Sequence, residues 1–153
     1  MNKNNTVDVL NTLIIINNDR IEGYETASKE TEEMELKNLF SHFINTSHRC
    51  KAELVKQIQN IGGSPDEGTR ITGKFFRVWM DVKVALTGND RKAILGSCDY
   101  GEQVAQDTYE TALKDNLEDI SAAQQTMLIA QRMALKADHD NIKNLLNKLL
   151  GTA

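Results

Sequence analysis

GGSPDEGTRITGKFFRVWMDVKVALTGND, residues 62–90, lies between two long stretches of helical periodicity. Gly62 and Gly63 can take the left-handed backbone that ends a helix, and Pro65 blocks a restart. The residues that follow are polar turn-formers, and Lys74 to Leu86 then brings Phe75, Phe76, Trp79 and Val82 back at helical spacing. Gly88 closes that short helix, and Asn89 or Asp90 is placed to cap the next. The stretch predicts a loop and a short helix packed against the outside or end of a bundle. An up-down-up-down bundle needs only a short link at this point. At ~3.3 Å per extended residue and ~1.5 Å per helical residue this connection can travel a bundle's whole length. The reading is a four-helix bundle with one long crossover.

The flanking stretches supply the helices. Leu10, Leu13, Ile14, Asn17, Ile21, Tyr24 and Ala27 recur at spacings of three and four, one face of a helix from about Thr6 to Thr31. A turn is expected near residues 30–34. A second helix carries Leu36, Leu39, Phe40, Phe43, Ser47, Cys50, Leu54, Ile58 and Ile61 on one stripe. A third places Ile94, Leu95, Cys98, Glu102, Ala105, Tyr109 and Ala112 together. After a turn at Asn116 to Asp119, a fourth runs from Ile120 to Leu149, its stripe interrupted at Gln131 and Asp138. The chain divides into a hairpin at 6–61, a crossover at 62–90 and a hairpin at 91–150, within a single domain of 153 residues.

The hairpins are related to each other. Residues 24–30 read YETASKE and residues 109–115 read YETALKD, with five of seven letters identical. At the same offset of 85 the apolar stripes stay in phase, Leu10 with Leu95, Tyr24 with Tyr109 and Phe43 with Leu128. The pattern favours a duplicated structure.

Composition narrows the function. A net charge of −4 and a pI near 5.4 argue against a nucleic-acid partner, which needs clustered Lys and Arg. No stretch approaches the ~20 apolar residues that span a bilayer, and the N-terminus lacks a small-residue cleavage site, so the expected location is cytoplasmic, with no membrane partner. Cys50 and Cys98 fall on apolar faces and read as small core-filling thiols.

NDRIEGYETA in helix one, the turn GGSP followed by GKFFRVW, the stretch CDYGEQVAQDTYETAL in helix three and His139 in helix four resemble the bacterial ferritin-like four-helix-bundle proteins that carry a domain of unknown function. The resemblance spans nearly the whole chain and implies the fold. The topology is the one such folds use, two antiparallel hairpins joined by a long crossover.

The residues then bear on whether the fold keeps a metal. Metal-binding bundles of this type use a Glu from two helices and Glu-x-x-His from the other two, because positions i and i+3 share a face. Leu39, Asn45 and Lys136 stand three before His42, His48 and His139, so the chain holds no Glu-x-x-His. Glu102 lies on a core stripe, and its counterpart at the offset is Asn17. Asn17, Ser47, Glu102 and Gln131 form an expected polar set at mid-height, with His48 able to swing toward it.

A buried carboxylate needs a metal, a hydrogen-bond network with Asn17, Gln131, a tyrosine hydroxyl or Arg132, or a helix-edge position that reaches water. The amides favour the network, since Asn and Gln bind transition metals weakly. For the metal reading the candidate ligands are Glu102, Asp19, Asp99 and His48, and the metal is iron or manganese. Asp19, Glu22 and Glu25 otherwise read as a solvated acidic face, and His139 as a surface histidine beside Asp138 and Asp140. Tyr24 and Tyr109 are expected in the core with bonded hydroxyls. Phe75, Phe76 and Trp79 fasten the crossover helix or form a subunit interface. No nucleophile with its base, phosphate loop or dinucleotide fingerprint is present. The first expectation is a non-enzymatic bundle acting through packing or partner contacts as a homo-oligomer. The alternative is an iron- or manganese-dependent oxidoreductase or iron-handling protein with an atypical site.

Overall fold

The computed structural model describes residues 2–68, 73–88 and 90–151, with the backbone alone for 73–79. Asn89 and the side chains of Phe75, Phe76 and Trp79 therefore lie outside what is described. Among the described residues all regular structure is helical: α1 (Lys3–Glu30), α2 (Met34–Asn60), α3 (Gly73–Thr87), α4 (Arg91–Asp115) and α5 (Ala122–Leu149), with a 3-10 turn at Leu117–Asp119. None of these helices is long and apolar enough to cross a membrane.

Local chemistry sets the helix ends. The Asn2 side chain accepts from the amides of Asn4 and Asn5 at the start of α1, and Asp90 accepts from Ala93 at the start of α4. Two reciprocal bonds between Ser121 and Gln124 form a capping box that opens α5. Ile120, expected as the first residue of that helix, therefore precedes it in an extended conformation and packs its side chain into the core. At the end of α2, Gly62 takes a φ of +78°, its amide donates to Gln59 and the Gly63 amide donates to Ile58. These paired bonds satisfy the last carbonyls of the helix. Gly63 has a second constraint, because a Cβ there would stand 2.6 Å from Val7 Cγ2.

The pairings fix helix directions. Lys37 donates to the Ser28 carbonyl, Arg20 reaches Ser47, and Gly63 meets Val7, so α1 and α2 are antiparallel. Asp99 meets His139 and Tyr109 meets Gln131, so α4 and α5 are antiparallel too. Between the pairs, Arg20 meets Glu102 and Thr6 meets Asp119, while His42 meets Asp138 and Gln131 meets Cys50. Accordingly α1 runs against α4, α2 runs against α5, and α2 and α4 point the same way. The segment after α2 follows α1. Asn11 clamps it, donating to the Ser64 carbonyl at 3.1 Å and accepting from the Asp66 amide at 2.7 Å, and Asn18 donates to Gly68. Farther along, Lys83 of α3 comes within 3.9 Å of Glu30.

The interior is two apolar clusters with a polar layer between them. Leu10, Leu13, Leu54, Ile58, Leu128 and Leu135 belong to one. Tyr24, Phe40, Phe43, Leu95, Ile142 and, from α3, Val82 belong to the other. At about 25 cal/mol per Å² of apolar surface removed from water, these stripes hold the helices together.

Candidate functional site

The layer between the clusters is built from charges. Arg20, on α1, is fully buried, and its guanidinium forks onto Glu102 of α4, Nε to Oε2 at 3.0 Å and Nη2 to Oε1 at 2.9 Å. Nη2 also donates to Asp138 of α5 at 3.2 Å, and Nη1 donates to the Ser47 hydroxyl and the Phe43 carbonyl of α2. The Tyr24 hydroxyl donates to Glu102 Oε2 at 2.8 Å. The cation lies 5.5 Å and 5.8 Å from the ring centres of Tyr24 and Phe43. One guanidinium thus touches all four long helices, the two-pronged geometry that arginine alone provides.

Electrostatics follow from burial and from these partners. Burial by itself would lower the Arg20 pKa, but Glu102, then Tyr24 and Asp138, outweigh it and hold the guanidinium above its ordinary value. Burial, and then Glu102, push the Tyr24 hydroxyl well up, so it stays protonated and donates. Burial raises Asp138 as well, against the pull of Arg20. Its other oxygen lies 3.3 Å from Nε2 of His42, which is 61% exposed.

A second, neutral chain of bonds crosses one level below. Asn17 Nδ2 donates to the Leu13 carbonyl and to the Tyr109 hydroxyl at 2.9 Å. Tyr109 donates to Gln131 Oε1 at 2.8 Å, and Gln131 Nε2 donates to the Cys50 carbonyl and to Glu53. The offset of 85 relates the two levels, for Tyr24 bonds Glu102 as Tyr109 bonds Asn17. Ala105, fully buried, is the counterpart of Arg20, so the second half has no guanidinium at that position, and Asn17 Oδ1 has no hydrogen-bond partner among the described residues.

Some of these residues lie where the sequence pattern predicts and others do not. Asn17, Ser47, Glu102 and Gln131 are all buried at mid-height, but Ser47 joins Glu102 through Arg20, while Asn17 and Gln131 form the separate neutral chain. Glu102 pairs with Arg20 rather than Arg132, whose guanidinium lies near Glu110 and Gln106. Arg20 carried a signal: it stands three after Asn17 and four before Tyr24, on the stripe itself. Asp19 is buried, not part of a solvated face, and its neighbour Asn18 donates to the Gly68 carbonyl of the segment after α2. Glu22 and Glu25 are exposed. His48 is exposed. His139 is buried, not at the surface, with Nε2 2.6 Å from Asp99 on α4.

Both thiols are buried and unlinked, and burial pushes Cys50 up to about 11. Among the described residues no three His, Cys, Asp or Glu side chains gather as a metal ion requires. The donors at the centre do not fit a metal, since the guanidinium already takes both oxygens of Glu102 and one of Asp138. No curated protein matches the chain. Residues 5–115, more than two thirds of the chain, match the family described as Domain of unknown function (DUF2383), and the chain belongs to that family.

Proposed function

We propose that this chain is a single ferritin-like domain, two antiparallel hairpins joined by a long crossover that carries α3, and that it serves a bacterial cytoplasm as a non-enzymatic, homo-oligomeric bundle acting through surface contacts. Support for the topology comes from the common direction of α2 and α4, which obliges the connection to return along α1. The observation that carries the functional reading is the Arg20 fork on Glu102. A bundle of this kind that handled metal would place cations where the guanidinium sits.

The alternative is an iron- or manganese-handling oxidoreductase centred on Glu102, with Asp19, Asp99 or His48 as helpers. In its favour, two carboxylates, Glu102 and Asp138, converge on one buried cation. It requires Arg20 to leave. Metal analysis of the purified protein, with and without added ferrous iron, separates the two. The proposal expects substoichiometric metal that Glu102→Ala leaves unchanged. Near-stoichiometric iron or manganese that disappears in Glu102→Ala overturns it.

A further inference from the structure

Charge is segregated between helices that share a side of the bundle. Helices α2 and α5 together carry eight Lys and Arg against four Asp and Glu, whereas α1 and α4 together carry six against ten. Two of those four acids are spent locally, Asp138 on buried Arg20 and Asp140 on Lys136. Arg49, Lys56 and Lys143 remain at the surface of this pair. The opposite side, formed by α1 and α4, exposes Asp8, Asp107 and Asp115.

Each side also has a groove. On the basic side the alanines Ala52, Ala130 and Ala134 leave the α2–α5 seam open as a groove of about 420 Å³, with Arg49 and Glu53 on its wall, the latter accepting from Gln131, and exposed Ile129 and Met133 beside it. On the acidic side Val9, Thr12, Thr108 and Thr111 line a groove of about 230 Å³, which continues over Thr108 and Thr111 toward half-exposed Tyr100 and Asp107. Opposite charge beside two shallow grooves suits a neighbour that presents the other face.

We propose that copies of this chain associate front to back, the α2–α5 face of one against the α1–α4 face of the next. The proposal rests on the homo-oligomeric reading above and names its surfaces. Symmetric pairing of either face with itself would set like charges against each other, which charge complementarity disfavours. The contact is heterologous, so copies form a ring or an open row.

Sedimentation of the full chain at low salt and at about 1 M salt, where the Debye length is about 3 Å, is the first measurement. Species heavier than the 17.2 kDa of one chain are expected at low salt and a single chain at high salt. The double variant Arg49→Glu with Lys56→Glu, and the double variant Asp107→Lys with Asp115→Lys, are each expected to be single chains at low salt. Their equimolar mixture is expected to reassemble, because it restores opposite charge at the contact. Circular dichroism confirms that both fold. An oligomer that survives both reversals overturns the face pairing but leaves the homo-oligomeric reading standing. A single chain under every condition overturns both, while the metal analysis still reads the centre independently.

Discussion

Arg20 is the residue on which the interior's charge balance turns. Its replacement by Met removes the guanidinium that bonds both Glu102 and Asp138 and leaves two desolvated carboxylates without it. Breaking a buried pair in this way costs about 3–5 kcal/mol, so Arg20→Met should unfold at markedly lower urea than wild type. Asp138 adds a pH dependence. Burial holds its carboxyl above the ordinary value of about 4, so the folded chain binds that proton more tightly than the unfolded one. The stability this contributes is full below the ordinary value and is lost as pH rises through the raised one. Asp138→Asn should remove this decline, which urea unfolding at a series of acidic pH values will show as a flatter curve. The acids at this site were legible in part: Glu102 breaks an apolar stripe. Arg20 also stands on a stripe, but its partner was not legible, because a long cation on a helix is ordinarily solvated and nothing local says that a carboxylate from 82 residues away will meet it.

The helices themselves were largely legible, since stripe spacing and glycine stops act over a few residues. Each stop can be tested. Gly62→Ala places a Cβ on a backbone with a φ of +78° and should lose about 1 kcal/mol in chemical unfolding. Ser121→Ala dismantles the capping box of α5 and should cost about 1 kcal/mol by the same measurement. The buried outer side of α1 was not legible, because it depends on a segment fifty residues away in sequence. Asn18 bonds Gly68, and Asn11 bonds Ser64 and Asp66. Asn11→Ala should release that segment, raising amide exchange at residues 64–68 while the interiors of α4 and α5 keep their protection. Unchanged exchange there would mean that the clamp does not hold the segment.

At the scale of the molecule, helical class and duplicated pattern could be read from composition and periodicity, whereas the side-chain partners across the bundle could not. Within a hairpin, contacts close short loops: Lys37 reaches Ser28 across nine residues. The charged layer closes long ones, for Arg20 and Asp138 are separated by 118. Loop closure grows more unfavourable with separation, and the three charges must shed water before they can meet. In time, then, the expected order is hairpins first and the charged layer last. The same fork that ties four helices together should then act as a brake on their assembly. Replacing the trio together, Arg20→Met with Glu102→Leu and Asp138→Leu, should speed refolding in stopped-flow measurements. Refolding of the triple variant no faster than wild type would show that the charges meet after the slow step has passed.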